Sequence, residues 1–255
     1  MTEKVLSKAA ALVTGASSGI GAATARRLAA EGAAVALIAR RRARLDRLAG
    51  RIADAGGQAV VVEADITEPE RAAEAVQDTL DRLGRLDVLV NNAGIMLLGT
   101  ALHATVEDWE RMVALNVSAL LHLTHAAVPY LIDAAATSPR RVADIVNVSS
   151  TAGRVARPGS SVYTLTKFGM TGFTESLRQE LLEERVRVCL VEPGTVDTEL
   201  VDHLDDETRD ATRRQVSRID PLRADDIADA IAYIVTRDRR VAVNEMLVRA
   251  GDQTW

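Results

Sequence analysis

The sequence predicts an α/β protein: one domain built on a doubly wound parallel sheet of about seven strands, with helices on both faces. Three observations carry that prediction. Short continuous runs of Val, Ile, Leu and Ala alternate with helical stretches along the chain, the pattern of parallel strands buried on both sides. A glycine-rich turn, Thr14 to Gly21, joins the first such run to the first helix. The 255 residues contain no Pro/Ser-rich linker and no break in composition, so residues 1–255 read as one unit.

Ala10 to Val13 is expected to form the first strand, and Gly21 to Glu31 a helix with Ala and Leu along one face. Val35 to Ala39 is a second strand, followed by an Arg-rich helix to about Ala55. Ala59 to Glu63 is a third strand and Glu68 to Leu83 a third helix. Leu86 to Val90 is a fourth strand, and one long helix then runs from Thr105 to Leu131. Asp144 to Val148, a helix from Tyr163 to Glu184, and Arg187 to Val191 continue the alternation. Ala224 to Val235 is a late helix and Glu245 to Arg249 a last strand. Two segments interrupt the rhythm. Asp133 to Arg141 (DAAATSPRR) is polar and reads as a solvated loop. Residues 199–221 are charged and helical and follow the sixth strand. Open α/β sheets bind ligands beyond the carboxyl ends of their strands, so this segment is either a substrate lid or a plain pair of surface helices.

Composition narrows the class. Hydrophobic content of 47% supports a large core, and 26% charged residues an ordinary soluble surface. A net charge of −5 argues against a nucleic-acid or membrane-surface partner, and 3% aromatics offer no platform for stacking bases. The one cysteine, Cys189, lies in an apolar run and suits core packing in a reducing compartment. The opening MTEKVLSKAA lacks an apolar signal core, and no apolar run approaches ~18 residues, so a cytoplasmic protein without a membrane span is expected. His103, His122, His125 and His203 show no ligand spacing; no metal is expected, and each reads as a helix-surface residue.

The turn Thr14-Gly15-Ala16-Ser17-Ser18-Gly19-Ile20-Gly21 suits a dinucleotide. Its glycines let the backbone approach a pyrophosphate, and the helix that follows offers amides and a dipole to the anion. The end of the second strand then selects among nucleotides. An acidic residue there would hold a ribose 2′-hydroxyl, but the place is taken by Ala39, followed by Arg40, Arg41 and Arg42. A guanidinium binds a 2′-phosphate through forked, charge-assisted hydrogen bonds, so NADP(H) is expected, with Arg40 as the principal ligand. Arg41 is a further candidate ligand, although Arg41, Arg42 and Arg44 equally describe a solvated helix start. Asp65 and Ile66 end the third strand, where Asp65 either meets the adenine amino group or starts the next helix. Asn91-Asn92-Ala93-Gly94 ends the fourth, either letting backbone run along the cofactor or forming an Asn/Gly turn. Pro193-Gly194-Thr195 closes the sixth strand on the nicotinamide side, with Thr198 able to bond the carboxamide.

Chemistry is concentrated in Asn147 to Lys167. Ser150 stands thirteen residues before Tyr163, and Lys167 follows by four, one helical turn along the same face. A free phenol titrates at about 10. A cation ~4 Å away at an effective dielectric near 20 contributes about 4 kcal/mol, or roughly three pKa units. Desolvation opposes it, so Tyr163 is expected to titrate between about 7 and 9 and to act as general acid and base on a carbonyl oxygen. Ser150 would hydrogen-bond that same oxygen.

With these residues in view, the sequence resembles the NADP-dependent short-chain dehydrogenases/reductases over nearly its whole length. Thr14 to Gly21 matches TGxxxGxG, Asn91 to Gly94 matches NNAG, and Asn116, Ser150, Tyr163 and Lys167 match the catalytic set. Pro193-Gly194 and Thr198 match the nicotinamide-side motif. The resemblance implies a Rossmann-type fold and hydride transfer between NADP(H) and a small carbonyl or alcohol. It also implies that Tyr163 moves the proton, Lys167 tunes the phenol and holds ribose hydroxyls, and Asn116 supports a relay water. A homodimer or homotetramer joined through the long helix and the Tyr163 helix is implied too. Within the family, Gly94 to Gly99, Glu192 to Leu200 and Asn244 to Gln253 are similar to clavaldehyde-reducing dehydrogenases of secondary metabolism and to NADP-dependent hydroxy-acid dehydrogenases.

The leading expectation is an NADPH-dependent carbonyl reductase. The same machinery could run oxidatively on a hydroxy acid or alcohol, and a cofactor-sensing protein without turnover is the alternative from another class. By the resemblance, Met96, Leu97, Ala152, Gly153 and Val196 flank the site, which suggests an apolar or modest-sized molecule.

Overall fold

The first strand, β1 (Ala10–Thr14), is buried at every position, which demands apolar partners on both sides and both faces. The computed structural model describes residues 4–217 and 219–254. Residues 1–3, 218 and 255, which the sequence reading counts in the single domain and, for 218, in the 199–221 segment, lie outside the described residues. After β1 come α1 (Gly19–Ala30), β2 (Ala34–Ala39), α2 (Arg42–Asp54), β3 (Gln58–Glu63), α3 (Pro69–Leu83) and β4 (Val88–Asn91). Next are α4 (Val106–Val113), α5 (Ala119–Thr137), β5 (Ala143–Val148), α6 (Ser161–Glu180) and β6 (Val186–Pro193). The chain closes with β7 (Val196–Asp197), α7 (Asp206–Val216), β8 (Leu222–Arg223), α8 (Ala224–Val235) and β9 (Glu245–Val248).

Seven strands form one parallel sheet in the order β3-β2-β1-β4-β5-β6-β9. Alternation along each strand divides the core. Val13, Leu37 and Val90 face α1, α2 and α8, where Leu28, Leu45 and Ile231 meet them. Leu12, Ile38 and Leu89 face the other way, toward Val76, Leu123 and Leu177 of α3, α5 and α6. Cys189 is buried in the first of these layers.

Three expectations change. The long helix is not uniform: a π-helical turn, Ala114–Ser118, separates α4 from α5 and carries Asn116. The segment Asp133 to Arg141 is not a solvated loop. Helix α5 runs on to Thr137 with Ala134 and Ala135 buried, because these alanines keep the core-facing side of the helix apolar. Arg140 then turns inward to Asp144 at 2.8 Å, and Arg187 reaches the other oxygen of Asp144 at 2.7 Å. Finally, the helical run Val106–Thr137 is long and apolar enough to cross a membrane by length and composition, where the sequence reading found no such span. Its apolar residues serve the core instead: Leu123, Ala127 and Leu131 are fully buried against the sheet.

The 199–221 segment is held at both ends, since β7 and β8 pair just before and just after it. Between them lie a short 3-10 turn, Glu199–His203, and α7.

Candidate active site

Strand order reverses between β1 and β4, so their carboxyl ends diverge into a crevice where a ligand can lie. The glycine turn forms its floor. Gly15 and Gly19 have φ of +65° and +50°, a region that side chains with a Cβ avoid. A Cβ on Gly15 would come within 2.8 Å of the Asn92 amide, and one on Gly21 would collide with the Gly15 carbonyl. The Thr14 hydroxyl accepts from the backbone amides of Asn92 and Ala93 at 2.9 and 3.0 Å, and the Asn92 amide group donates to the Thr14 carbonyl at 2.9 Å. The two loops are thereby locked together at the floor of the crevice.

Of the catalytic and cofactor-binding residues selected from sequence, all but Gly21 and Asn116 line this one cleft, while Met96, Leu97, Ala152 and Gly153 do not. Gly21 lies beneath the turn. Asn116, 1% exposed, stands behind Gly94. Its Oδ1 accepts from the Ile95 amide at 2.9 Å, and its Nδ2 donates to the Ile95 carbonyl and the Thr166 hydroxyl at 2.9 and 3.2 Å. The side chain is therefore committed to clasping the loop after β4 onto the π turn and α6.

At the adenosine end the arginines divide. Arg40 pairs with Asp65 at 3.5 Å. Desolvation pushes the Asp65 carboxyl up, but bonds from the Thr67 hydroxyl and amide, together with Arg40, hold it below its ordinary value. Arg41, not Arg40, is the guanidinium tied to the glycine turn: it donates to the Ser17 hydroxyl at 2.8 and 3.0 Å and to the Ser18 hydroxyl at 2.7 Å. Arg44 joins it through Glu199.

At the other end, Tyr163 and Lys167 occupy adjacent turns of α6 and are 6% and 5% exposed. Lys167 Nζ donates to the Val148 carbonyl at the end of β5, 3.0 Å away, and sits 5.7 Å from the centre of the phenol ring. The expected phenol titration near 7 to 9 is not what this geometry gives. Burial pushes Tyr163 up to about 12 against a smaller lowering from its hydrogen bond with Ser150, while burial pushes Lys167 down to about 8. The cation is directed at Val148 rather than at the phenol oxygen, so desolvation outweighs charge attraction. Ile95 and Met112 pack around Tyr163, with Met96, Leu97 and Ala152 alongside, giving this end an apolar wall. Gly153 is instead buried, its position hemmed in by the Ser149 hydroxyl and the Lys167 backbone.

The model of the family described as short chain dehydrogenase matches residues 9–209 of this chain. This chain belongs to the short-chain dehydrogenase family. It is 32% identical to an uncharacterized oxidoreductase of Staphylococcus saprophyticus over 95% of this chain and 96% of that one. Among solved short-chain dehydrogenase relatives, a 3-ketoacyl-(acyl-carrier-protein) reductase from Brucella melitensis complexed with NADH shares 31% identity at a TM-score of 0.83. That match covers 96% of this chain and 98% of the other. A closed form of serine dehydrogenase complexed with NADP+ shares 29% identity at a TM-score of 0.87, covering 96% of each chain. This short-chain dehydrogenase is an oxidoreductase of the type acting on CH–OH and C=O groups.

Several of its residues carry no local signal. Asn91 donates to Asn147 and Thr124, and Asn147 to Thr174, at 2.9–3.0 Å, a buried polar ladder joining β4, β5, α5 and α6 below the site. His203, read from sequence as a helix-surface residue, lies in the 3-10 turn and lines the cleft with Glu199 and Leu200. Asn91 belongs to the Asn91–Gly94 motif, but its partners along the ladder, Thr124, Asn147 and Thr174, lie 27 to 56 residues apart along the chain, and the sheet order brings them together.

Proposed function

We propose that this short-chain dehydrogenase is an NADPH-dependent carbonyl reductase acting on a small, largely apolar aldehyde or ketone. The observation that carries the reading is one continuous cleft with a guanidinium and two serine hydroxyls at one end and Ser150, Tyr163 and Lys167 at the other. The glycine cradle fits a dinucleotide pyrophosphate, and Arg41 with Ser17 and Ser18 fits a 2′-phosphate. The chemistry the bound cofactor supplies is a hydride for the carbonyl carbon. Ser150 donates a hydrogen bond to the carbonyl oxygen, and Tyr163 gives that oxygen its proton. A phenol held near 12 keeps its proton at neutral pH yet gives it readily to an alkoxide, whose basicity is comparable to that of hydroxide (water, about 15.7). At neutral pH Tyr163 therefore carries the proton that reduction requires. Lys167, its Nζ on the Val148 carbonyl and 5.7 Å from the centre of the phenol ring, places a cation on the same side of the cleft as Tyr163, and Asn116 fixes the loop on which Gly94 and Ile95 sit.

The likeness to clavaldehyde reductases rests on short runs, and Ile95, Met96 and Leu97 of one such run form the apolar wall. They support a substrate class rather than one compound. Exposed Leu121 on α5 and Leu165 and Phe168 on α6 support a homodimer or homotetramer formed through these helices. Both ends of residues 199–221 are fixed by the β7–β8 pair, which supports a lid moving between fixed points. A cytoplasmic location accords with the composition.

The test is nicotinamide absorbance with NADPH and NADH over a panel of aldehydes, ketones and keto acids. NADPH-linked turnover is expected in the wild type and its loss in Tyr163→Phe, with NADPH affinity within a few-fold. Turnover retained by Tyr163→Phe would refute the proton-donor role. Silence across the panel with NADPH still bound would favour a cofactor sensor.

A further inference from the structure

Glu199 begins the turn that follows β7, and its carboxylate reaches back across the cleft mouth. Arg44 Nη1 donates to both of its oxygens at 2.6 and 2.7 Å, and Arg41 Nη1 donates to Oε2 at 3.0 Å. The remaining donors of Arg41 hold Ser17 and Ser18. Thus one carboxylate is gripped by two guanidiniums at the end of the site where the cofactor reading puts the 2′-phosphate. The nearest other carboxylate of the turn, Asp202, is paired with Arg213. Hydrogen bonding from Arg44, against a smaller opposing effect of desolvation and with help from Arg41, holds the Glu199 carboxyl below its ordinary value, so it is an anion at neutral pH.

Charge decides what happens in this fork. Two guanidiniums around one carboxylate leave a surplus of one positive charge. A phosphate monoester carries about −1.5 to −2 and matches both cations. A 2′-hydroxyl carries none and has nothing with which to displace Glu199. We infer that Glu199 is an internal competitor for the cofactor phosphate: it occupies the Arg41–Arg44 fork, must yield it for a 2′-phosphate to enter, and so tunes discrimination between phosphorylated and unphosphorylated nicotinamide nucleotides. This rests on the proposal that the fork is the phosphate subsite. Because Glu199 is the first residue of the Glu199–His203 turn, phosphate entry also frees that turn from α2.

The experiment is calorimetric titration of wild type, Glu199→Gln, Arg41→Ala and Arg44→Ala with adenosine 2′,5′-bisphosphate, NADP+, 5′-AMP and NAD+. All three side chains stand at a partly exposed rim, where an ion pair has modest strength. Glu199→Gln is therefore expected to bind the bisphosphate and NADP+ about three- to tenfold more tightly, with 5′-AMP and NAD+ unchanged within about twofold. The gain should shrink in high salt. Weaker or unchanged bisphosphate binding in Glu199→Gln, alongside its loss in Arg41→Ala, would overturn competition while leaving the phosphate subsite intact. Equal tightening of NAD+ and NADP+ would also overturn it. Unchanged bisphosphate binding in both Arg41→Ala and Arg44→Ala would overturn the subsite itself and this inference with it.

Discussion

Replacing Lys167 with methionine should make the protein more stable while removing its turnover. The side chain is buried, and burial lowers its pKa from 10.5 to about 8. That shift corresponds to about 3 kcal/mol by which the fold disfavours the charged form. Methionine fills similar space without charge, but leaves the Val148 carbonyl without its donor, a loss of about 1 kcal/mol. The net gain at pH 7 is about 2 kcal/mol, or about 4–8 °C in Tm for a chain of this size. The sign with pH follows from the depressed value. Between about 8 and 10.5 the unfolded chain binds a proton that the folded chain has shed, so wild-type stability rises with pH across that window. The advantage of Lys167→Met should therefore be full at pH 7 and nearly gone at about pH 9.5. Thermal unfolding at both pH values, with no cofactor added, measures it. A Tm at or below wild type at pH 7, or a gap that does not change with pH, would refute the reasoning that burial rather than a compensating partner governs Lys167.

Other consequences are open to simpler measurements. NADPH-linked reduction should fall as pH rises through about 8, where Lys167 loses its charge, and a profile flat to pH 10 would separate Lys167 from proton delivery. Asp144→Ala strands two nearly buried guanidiniums, Arg140 and Arg187, and should cost about 3–5 kcal/mol, read as a lower urea midpoint. An unchanged midpoint would mean that the backbone carbonyls around these arginines suffice. Leu165→Asp with Phe168→Asp should yield monomers in light scattering, and an oligomer of unchanged mass would move the contact to another face.

The parts of the molecule that depend on short stretches of chain were legible without coordinates. Short runs such as Ala10–Val13 and Val188–Val191 are apolar at every position, the pattern of strands covered on both faces. The glycine turn is legible because φ near +65° and a backbone pressed against Asn92 admit nothing larger. The four-residue gap from Tyr163 to Lys167 places both on one helix face whatever surrounds them.

What surrounds them was settled only by the packed chain. The expected activation of Tyr163 supposed an ammonium beside the phenol, but β5 presents the Val148 carbonyl to Lys167, and burial then dominates both groups. The partners of Arg40 and Arg41 could not be read locally: Arg40 meets Asp65 just past the end of β3, and Arg41 meets Ser17 and Glu199, 24 and 158 residues away. The segment read as a solvated loop is helical as far as Thr137 because Ala134 and Ala135 find the sheet beneath them, and Arg140 turns inward because Asp144 awaits it. Local sequence determines which elements form and which side chains share a face. Electrostatics and burial are sums over neighbours from every strand, so the burial of Tyr163 and Lys167 and the pairing of Arg41 and Arg44 with Glu199 were decided by the tertiary structure alone.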